Sequence, residues 1–183
     1  MAEIAKECGI SEPTVKDWLS ILESTYVIFL LRPYHSNRIK RLVKSSKVYF
    51  VDTGLLCYLL GIDQPNRFLR ASERGHIFEN MVIAEFIKRA ATQAGHTDFY
   101  FYRSASGVEV DLLMERKGEM FAYEVKFSKT LRKEMAEPLS TFIQDHPVKK
   151  AIILSLQEKR MPIAQGITGQ HWSVGIATDF QIE

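Results

Sequence analysis

Val108-Glu109-Val110-Asp111-Leu112-Leu113-Met114, the pair Lys117-Gly118, and Phe121-Ala122-Tyr123-Glu124-Val125-Lys126-Phe127 decide the fold of this chain. The two longer runs read as β-strands over residues 108–115 and 121–127, joined by a tight hairpin at the Lys-Gly turn. Successive side chains of a strand face opposite sides of its sheet. In the second strand Phe121, Tyr123, Val125 and Phe127 therefore share one face, and Ala122, Glu124 and Lys126 the other. By the same parity Val108, Val110, Leu112 and Met114 oppose Glu109, Asp111 and Leu113. If the apolar faces coincide, Asp111, Glu124 and Lys126 lie together.

Upstream, residues 74–94 read as a long helix. At 100° per residue Phe78, Val82, Ile83, Phe86 and Ala90 form an apolar arc, with Asn80, Met81 and Lys88 largely off it. Glu79 falls near the middle of that arc, so its carboxylate turns inward, where an unpaired charge is costly and needs a counter-charge, a proton or a metal. Gly75, one turn earlier, would permit close approach to the sheet. Adding a strand at 99–102, a helix at 133–144, a strand at 150–156 and a last, edge strand around 173–177 gives the order α-β-β-β-α-β. This is an α/β arrangement, a mixed sheet flanked by helices.

The first segment has a different pattern. Ile4-Ala5, Cys8-Gly9-Ile10-Ser11, Thr14-Val15, Trp18-Leu19 and Leu22 mark two short helices around a turn at Gly9, with Ser11 as N-cap and Pro13 in the first turn of the second helix. Trp18 reads as core of this helix-turn-helix. A strand at 26–31, a basic loop or wing, and a returning strand at 47–51 complete a winged-helix layout. The helix that normally opens such a unit is missing, so we read the module as partial and the chain as cut from a larger protein. Asp52-Thr53-Gly54 starts a short apolar helix ended by Gly61. Pro65 and Asn66 mark a linker. The expected division is a winged helix-turn-helix over residues 1–62, a linker over 63–71 and a second domain over 72–183.

A chain of 183 residues, 46% hydrophobic and 25% charged, has room for a sizeable core and an appended module. Its longest apolar run is strand-length, far short of a membrane span, and its start lacks the layout of a signal peptide. A cytoplasmic location without membrane contact is expected. Cys8 and Cys57 match no zinc spacing. The net charge of +2 says little, but Arg32, Arg38, Lys40, Arg41, Lys44 and Lys47 follow one another with no acidic residue among them. That stretch is a solvated loop or a wing touching DNA phosphates. Thr14, Lys16 and Asp17, at the start of the second helix, are placed to reach a major groove.

Three converging carboxylates repel one another unless a cation sits among them. Mg²⁺ or Mn²⁺ would meet that need, keeping waters for a substrate phosphate. Asp111 and Glu124 would bind the ion with help from the Val125 carbonyl, Glu79 would complete an outer or second position, and Lys126 would position or activate the attacking water. The plainer alternative is an exposed Glu124–Lys126 pair, with Asp111 and Glu79 in structural hydrogen bonds. Arg103 either contacts the scissile phosphate or pairs with Glu109. Glu109 assists the metal or forms that ion pair, and His76 is a helix-edge residue one turn before Glu79.

Gly75-His76-Ile77-Phe78-Glu79-Asn80, Phe101-Tyr102-Arg103, Gly107-Val108-Glu109-Val110-Asp111 and Tyr123-Glu124-Val125-Lys126-Phe127-Ser128 together resemble the domain-of-unknown-function family 4143. The resemblance extends over Ile4 to Leu22 and the stretch Val48-Tyr49-Phe50-Val51-Asp52-Thr53-Gly54-Leu55. That family occurs at the C-terminus of predicted bacterial and archaeal AAA+-type ATPases, behind a winged-helix segment. Its C-terminal part is similar to the PD-(D/E)xK nucleases, a restriction-endonuclease-like fold whose acidic residues and lysine map onto Glu79, Asp111, Glu124 and Lys126. The resemblance implies a Mg²⁺-dependent DNA nuclease domain behind an N-terminal ATPase domain. The alternative is a non-catalytic DNA-binding or regulatory module of that ATPase. No G-x-x-x-x-G-K-[ST] occurs in these 183 residues, so they carry no P-loop ATPase activity of their own.

Overall fold

Lys117 and Gly118 both adopt left-handed backbone conformations, φ 53° and 75°, the geometry of a two-residue hairpin whose twist matches that of its strands. The computed structural model, which describes residues 2–34 and 45–180, thus joins β4 (Glu109–Arg116) to β5 (Glu119–Lys126) with Arg116 opposite Glu119. The other elements are α1 (Ala2–Cys8), α2 (Glu12–Ser24), β1 (Ile28–Pro33), β2 (Lys47–Phe50), α3 (Thr53–Leu59), α4 (Pro65–Arg70), α5 (Arg74–Ala91), β3 (Thr97–Arg103), α6 (Glu137–Asp145), β6 (Lys150–Ser155), β7 (Met161–Ala164), β8 (Ile167–His171) and α7 (Trp172–Asp179).

One mixed eight-stranded sheet runs β2-β1-β3-β4-β5-β6-β8-β7, with helices on both faces. Phe78, Val82, Ile83 and Phe86 of α5 pack with Leu112, Met114, Tyr123 and Val125 on one face, joined by Ile176 and Phe180 at the C-terminal end. On the other, Leu139 and Phe142 of α6 cover Val110, Leu113, Ala122 and Ile153. The first segment contributes more than a neighbouring module. β1 pairs with β2 on one side and, through Arg32 and Pro33, in parallel with Tyr100 and Phe101 of β3 on the other. Among the described residues no helix is long and apolar enough to cross a membrane.

Several sequence expectations need correction. Residues 173–177 are not an edge strand: Val174 and Ile176 alternate like one, but α7 turns Ile176 and Phe180 onto the core, and Phe180 meets Phe86 with ring centroids 5.9 Å apart. Gly175 makes the close seating possible, because a Cβ there would lie 2.4 Å from Leu154. The edge of the sheet is instead β7, a short strand whose Pro162 disguises it and is tolerated where a face of the backbone looks outward. The segment read as a linker contains α4, which Pro65 opens from its first turn. Trp18 is 55% exposed rather than core. It falls roughly a quarter-turn off the stripe of Val15 and Leu19 that packs with Ala5 and Ile28. Gly75 approaches nothing, since a Cβ there would meet open space.

Asn80, placed off the apolar arc by its angle, is buried for another reason. Its Oδ1 accepts from Phe50 N–H at 2.8 Å, and its Nδ2 donates to the Phe50 carbonyl at 3.0 Å and to Thr53 Oγ1 at 3.2 Å. One side chain thus satisfies the end of β2 and ties it to α5. Asn80→Ala should destabilise the fold by about 2 kcal/mol, because both backbone groups of Phe50 lose their partner. Urea unfolding would show this as a lower midpoint with an unchanged slope.

Candidate functional site

Hydrogen bonding between β4 and β5 runs from the turn to Leu112 opposite Tyr123. One step further the Val125 N–H donates at 2.8 Å to Asp111 Oδ2, a side chain in place of a ladder carbonyl. β5 continues alongside β6 as far as Lys126 opposite Ser155. β4 therefore parts from β5 where Asp111, Glu124 and Lys126 stand. On its other edge β4 carries a bulge: Tyr100 faces Leu113 while Tyr102 faces Val110, so two steps on β3 match three on β4. The simple parity of β4 breaks there. Val110 packs with Leu113 on the α6 face, and Leu112 with Met114 on the α5 face, so the even-numbered residues do not share a side. The bulge and the parting of the strands open a cleft of about 1100 Å³, lined by Glu79, Arg103, Glu109, Asp111, Glu124 and Lys126 together with Lys47 and Tyr49 of β2.

Glu124 and Asp111 are 3% and 8% exposed. Burial pushes the Asp111 carboxyl well above the usual aspartate range, and the neighbouring Glu124 and Glu79 push it further; the Val125 N–H and Lys47 only partly oppose them. Burial also raises Glu124, with Lys126 pulling the other way. Lys126 Nζ donates to Glu124 Oε1 at 2.6 Å. Burial alone would lower the Lys126 ammonium, but Glu124, Asp111 and Glu79 outweigh it and hold the lysine protonated. Glu124 Oε2 is fully enclosed and has no hydrogen-bond partner among the described residues.

A second knot lies alongside. Glu79 Oε1 accepts from Tyr49 OH at 2.6 Å and pairs with Lys47 Nζ at 3.2 Å, while Oε2 lies 3.9 Å from His76 Nδ1. Lys47 also contacts Glu109 Oε1, and Glu109 Oε2 accepts from Arg103 Nε at 2.6 Å. Burial would raise Glu109, yet Lys47 and Arg103 prevail and lower it. Arg103 thus takes the ion pair with Glu109, one of its two sequence readings. Tyr49, buried and facing Glu79, has its hydroxyl raised far above the ordinary tyrosine value.

All four residues read as nuclease-type from the sequence thus line one cleft, and Arg103 with them. Thr14 and Lys16 are elsewhere: Thr14 is tied to the Ser11 cap by a 2.8 Å hydroxyl contact, and Lys16 is exposed on α2. Arg38, Lys40, Arg41 and Lys44 lie outside the described residues. In the sequence Lys47 stands only as the last residue of the basic stretch read as a loop or wing, and Tyr49 only as part of the returning strand. Their shared parity on the strand that follows that stretch is the available signal, but nothing in the sequence places that strand against α5. Among the described residues no three His, Cys, Asp or Glu side chains form a ready cation cage. Mg²⁺ does not need one, since it is usually held by one or two carboxylates and keeps several waters. The enclosed, unpartnered Glu124 Oε2 beside a carboxyl of raised pKa fits that demand.

The raised Asp111 has a consequence for stability. The folded chain retains a proton there that the unfolded chain has already released, so stability falls as pH rises from the ordinary aspartate range through the raised value. Asp111→Asn keeps an acceptor for Val125 N–H and removes that loss. In EDTA the variant should be more stable than the parent at pH 8, by about 1.4 kcal/mol for each unit of elevation, with the gap closing near pH 4. Urea midpoints across that range are the measurement, and equal midpoints at pH 8 would count against a buried charge.

Residues 1–66 match a family described as Domain of unknown function (DUF8612), a different model from the one that matches the rest of the chain. An uncharacterized protein of Mycobacterium bovis and another of Mycobacterium tuberculosis are each 27% identical to this chain over 166 residues, covering 91% of it. The chain spans 36% of the length of those relatives. Residues 74–173, which hold Glu79, Asp111, Glu124 and Lys126, match the family described as Domain of unknown function (DUF4143), and the chain belongs to that family.

Proposed function

We propose that the cleft is a Mg²⁺- or Mn²⁺-dependent phosphodiesterase site acting on DNA, built on a PD-(D/E)xK, restriction-endonuclease-like arrangement of α5, β3, β4, β5, α6 and β6. The observation that carries the reading is the enclosed Glu124 Oε2, without a partner among the described residues, beside the raised Asp111. Asp111 and Glu124 would hold the ion. When bound, it supplies Lewis acidity to the phosphodiester and lowers the cost of charge on the leaving oxygen. Lys126 does the positioning. Kept protonated by its neighbours and aimed by Glu124 Oε1, its ammonium donates to the attacking water or to a phosphate oxygen and does not act as general base. The Val125 N–H fixes the Asp111 carboxylate by its Oδ2, within the lining of the cleft.

The first segment supports a companion role. α1, the Gly9 turn, α2 and the β1–β2 hairpin follow the order of a winged helix, and Lys16 stands exposed at the start of the second helix. We assign this segment to DNA backbone contact and propose an ATPase domain as its partner, for which the relatives, of whose length this chain spans 36%, have room. A non-catalytic role, with the acidic residues purely structural, is the competing reading. It draws on Glu79, whose Oε1 is already occupied by Lys47 and Tyr49.

Incubating the chain with Mn²⁺ and supercoiled plasmid should give nicked and linear forms. Lys126→Ala should lower the rate at least about a hundredfold while leaving the circular dichroism spectrum unchanged. Failure to bind Mn²⁺ at millimolar concentration would sink the proposal. For the DNA-contact role, neutralising Lys16, Arg38, Lys40 and Arg41 should flatten the salt dependence of DNA retention, by roughly one unit of slope for every phosphate that is no longer neutralised. An unchanged slope would remove the segment from the interface.

A further inference from the structure

We propose that Lys47 is the built-in second cation of this site: its ammonium holds Glu79 and Glu109 together, so the cleft takes a single divalent ion, on the Asp111–Glu124 side. This rests on the metal-dependent reading above. Lys47 Nζ pairs with Glu79 Oε1 at 3.2 Å, contacts Glu109 Oε1, and sits 5.5 Å from the centre of the Phe101 ring. Its side chain is 22% exposed, which shields these contacts from solvent and salt.

What separates the two halves of the cleft is an enclosed carboxylate oxygen without a partner among the described residues, found at Glu124 and not at Glu79 or Glu109. The Glu79 oxygen that meets Lys47 also accepts from Tyr49, and Arg103 takes the oxygen of Glu109 that Lys47 does not. Glu124 Oε2 is enclosed with no partner among the described residues. A hard cation goes where oxygen lone pairs are unmet. Charge points the same way. Among the groups in the two knots Glu79, Glu109, Asp111 and Glu124 face Lys47, Arg103 and Lys126, and Glu73, Glu134 and Glu137 line the same cleft, so its carboxylates outnumber its lysines and arginines. One divalent ion would offset charge on the side where Glu124 Oε2 has no partner among the described residues. A second ion would have to expel a half-buried ammonium from two carboxylates. Lys47 touches neither the reacting phosphate nor the ion in this arrangement. It is a positioning residue acting through Glu79 and Glu109, and with Tyr49 it comes from β2, outside the α5, β4 and β5 elements that carry Glu79, Glu109, Asp111, Glu124 and Lys126.

Calorimetric titration of the full chain with Mn²⁺ tests this. The parent should bind one ion per chain, and Lys47→Arg should also bind one. Lys47→Met should bind two, the second through the released Glu79 and Glu109. In EDTA Lys47→Met should unfold at a lower urea concentration than the parent, and Mn²⁺ should restore it. Two ions on the parent, or one on folded Lys47→Met, would overturn the proposal and leave the metal-dependent reading standing. No ion on the parent overturns both. Should Lys47→Met not fold, Glu79→Gln in the parent background decides: Mn²⁺ affinity within about twofold of the parent supports the proposal, because Glu79 is then no ligand. A tenfold loss overturns it.

Discussion

Two carboxylates, Asp111 and Glu124, are buried side by side where β4 leaves β5, and much of the surrounding structure answers that one constraint. Burial of adjacent negative charges raises both groups toward protonation unless donors and cations are supplied. The Val125 N–H, released from the ladder by the parting of the strands, supplies one donor to Asp111. Lys126, two residues along the same strand, supplies one to Glu124. The bulge on the β3 side of β4 breaks the alternation at Asp111, where an uninterrupted ladder would have used the strand purely for the sheet. The hydrophobic faces tolerate this because Val110 and Leu113 still pack together against α6, and Leu112 and Met114 against α5.

The first segment is bound into the same solution. Glu79 and Asn80 are consecutive residues of α5, and both point at β2: Glu79 receives Lys47 and Tyr49, and Asn80 holds both backbone groups of Phe50. β2 is held in turn by β1, which pairs with the main sheet at Arg32 and Pro33 and is followed by a 2.7 Å hydrogen bond from the Tyr34 N–H to the Phe101 carbonyl. A short parallel pairing, one amide clamp and one ion-pair knot therefore fix the place of a strand that lines the cleft. Any shift of that hairpin changes the hydrogen-bond and ion-pair partners of Glu79 and Glu109, while Asp111 would lose only the longer-range influence of Lys47 and keep the Val125 N–H. The outer half of the site consequently depends on packing between the segments, and the inner half on the sheet itself.

That difference also decides what the sequence could reveal. Glu124 and Lys126 of the inner half were legible because strand parity in 121–127 is a local property, as is the helical angle that turns Glu79 of the outer half inward, and the Lys117-Gly118 turn sets the register that joins β4 to β5. The bulge was not, since an extra residue in one strand leaves alternation on either side intact and shows only in the pairing. Nor were Lys47 and Tyr49: their role comes from an α5–β2 contact across about thirty residues of sequence, to which periodicity is blind. The C-terminal end misleads for a related reason. Val174 and Ile176 alternate over too few residues to separate a strand from a helix, and the deciding fact, the seat of Gly175 against Leu154, is tertiary. Asn80 shows the same limit in reverse, as a polar residue buried by hydrogen bonds that no hydrophobic pattern contains.

The chemistry of the inner half follows from comparing the two ways its charge can be relieved. A proton on Asp111 removes the repulsion and is what burial favours in the chain alone. It also turns one Asp111 oxygen into an O–H donor beside Glu124, whose enclosed Oε2 has no partner among the described residues; a buried oxygen left in that state costs on the order of 1–3 kcal/mol. On the proposed reading, a divalent cation held by Asp111 and Glu124 would relieve the repulsion and give that oxygen a partner, with Lys126 remaining on Oε1. Protonated Asp111 and metal-bound Asp111 would then be competing states of one site. Rising pH would weaken the first and strengthen the second, tying ion affinity to the same carboxyl that controls the stability of the metal-free fold.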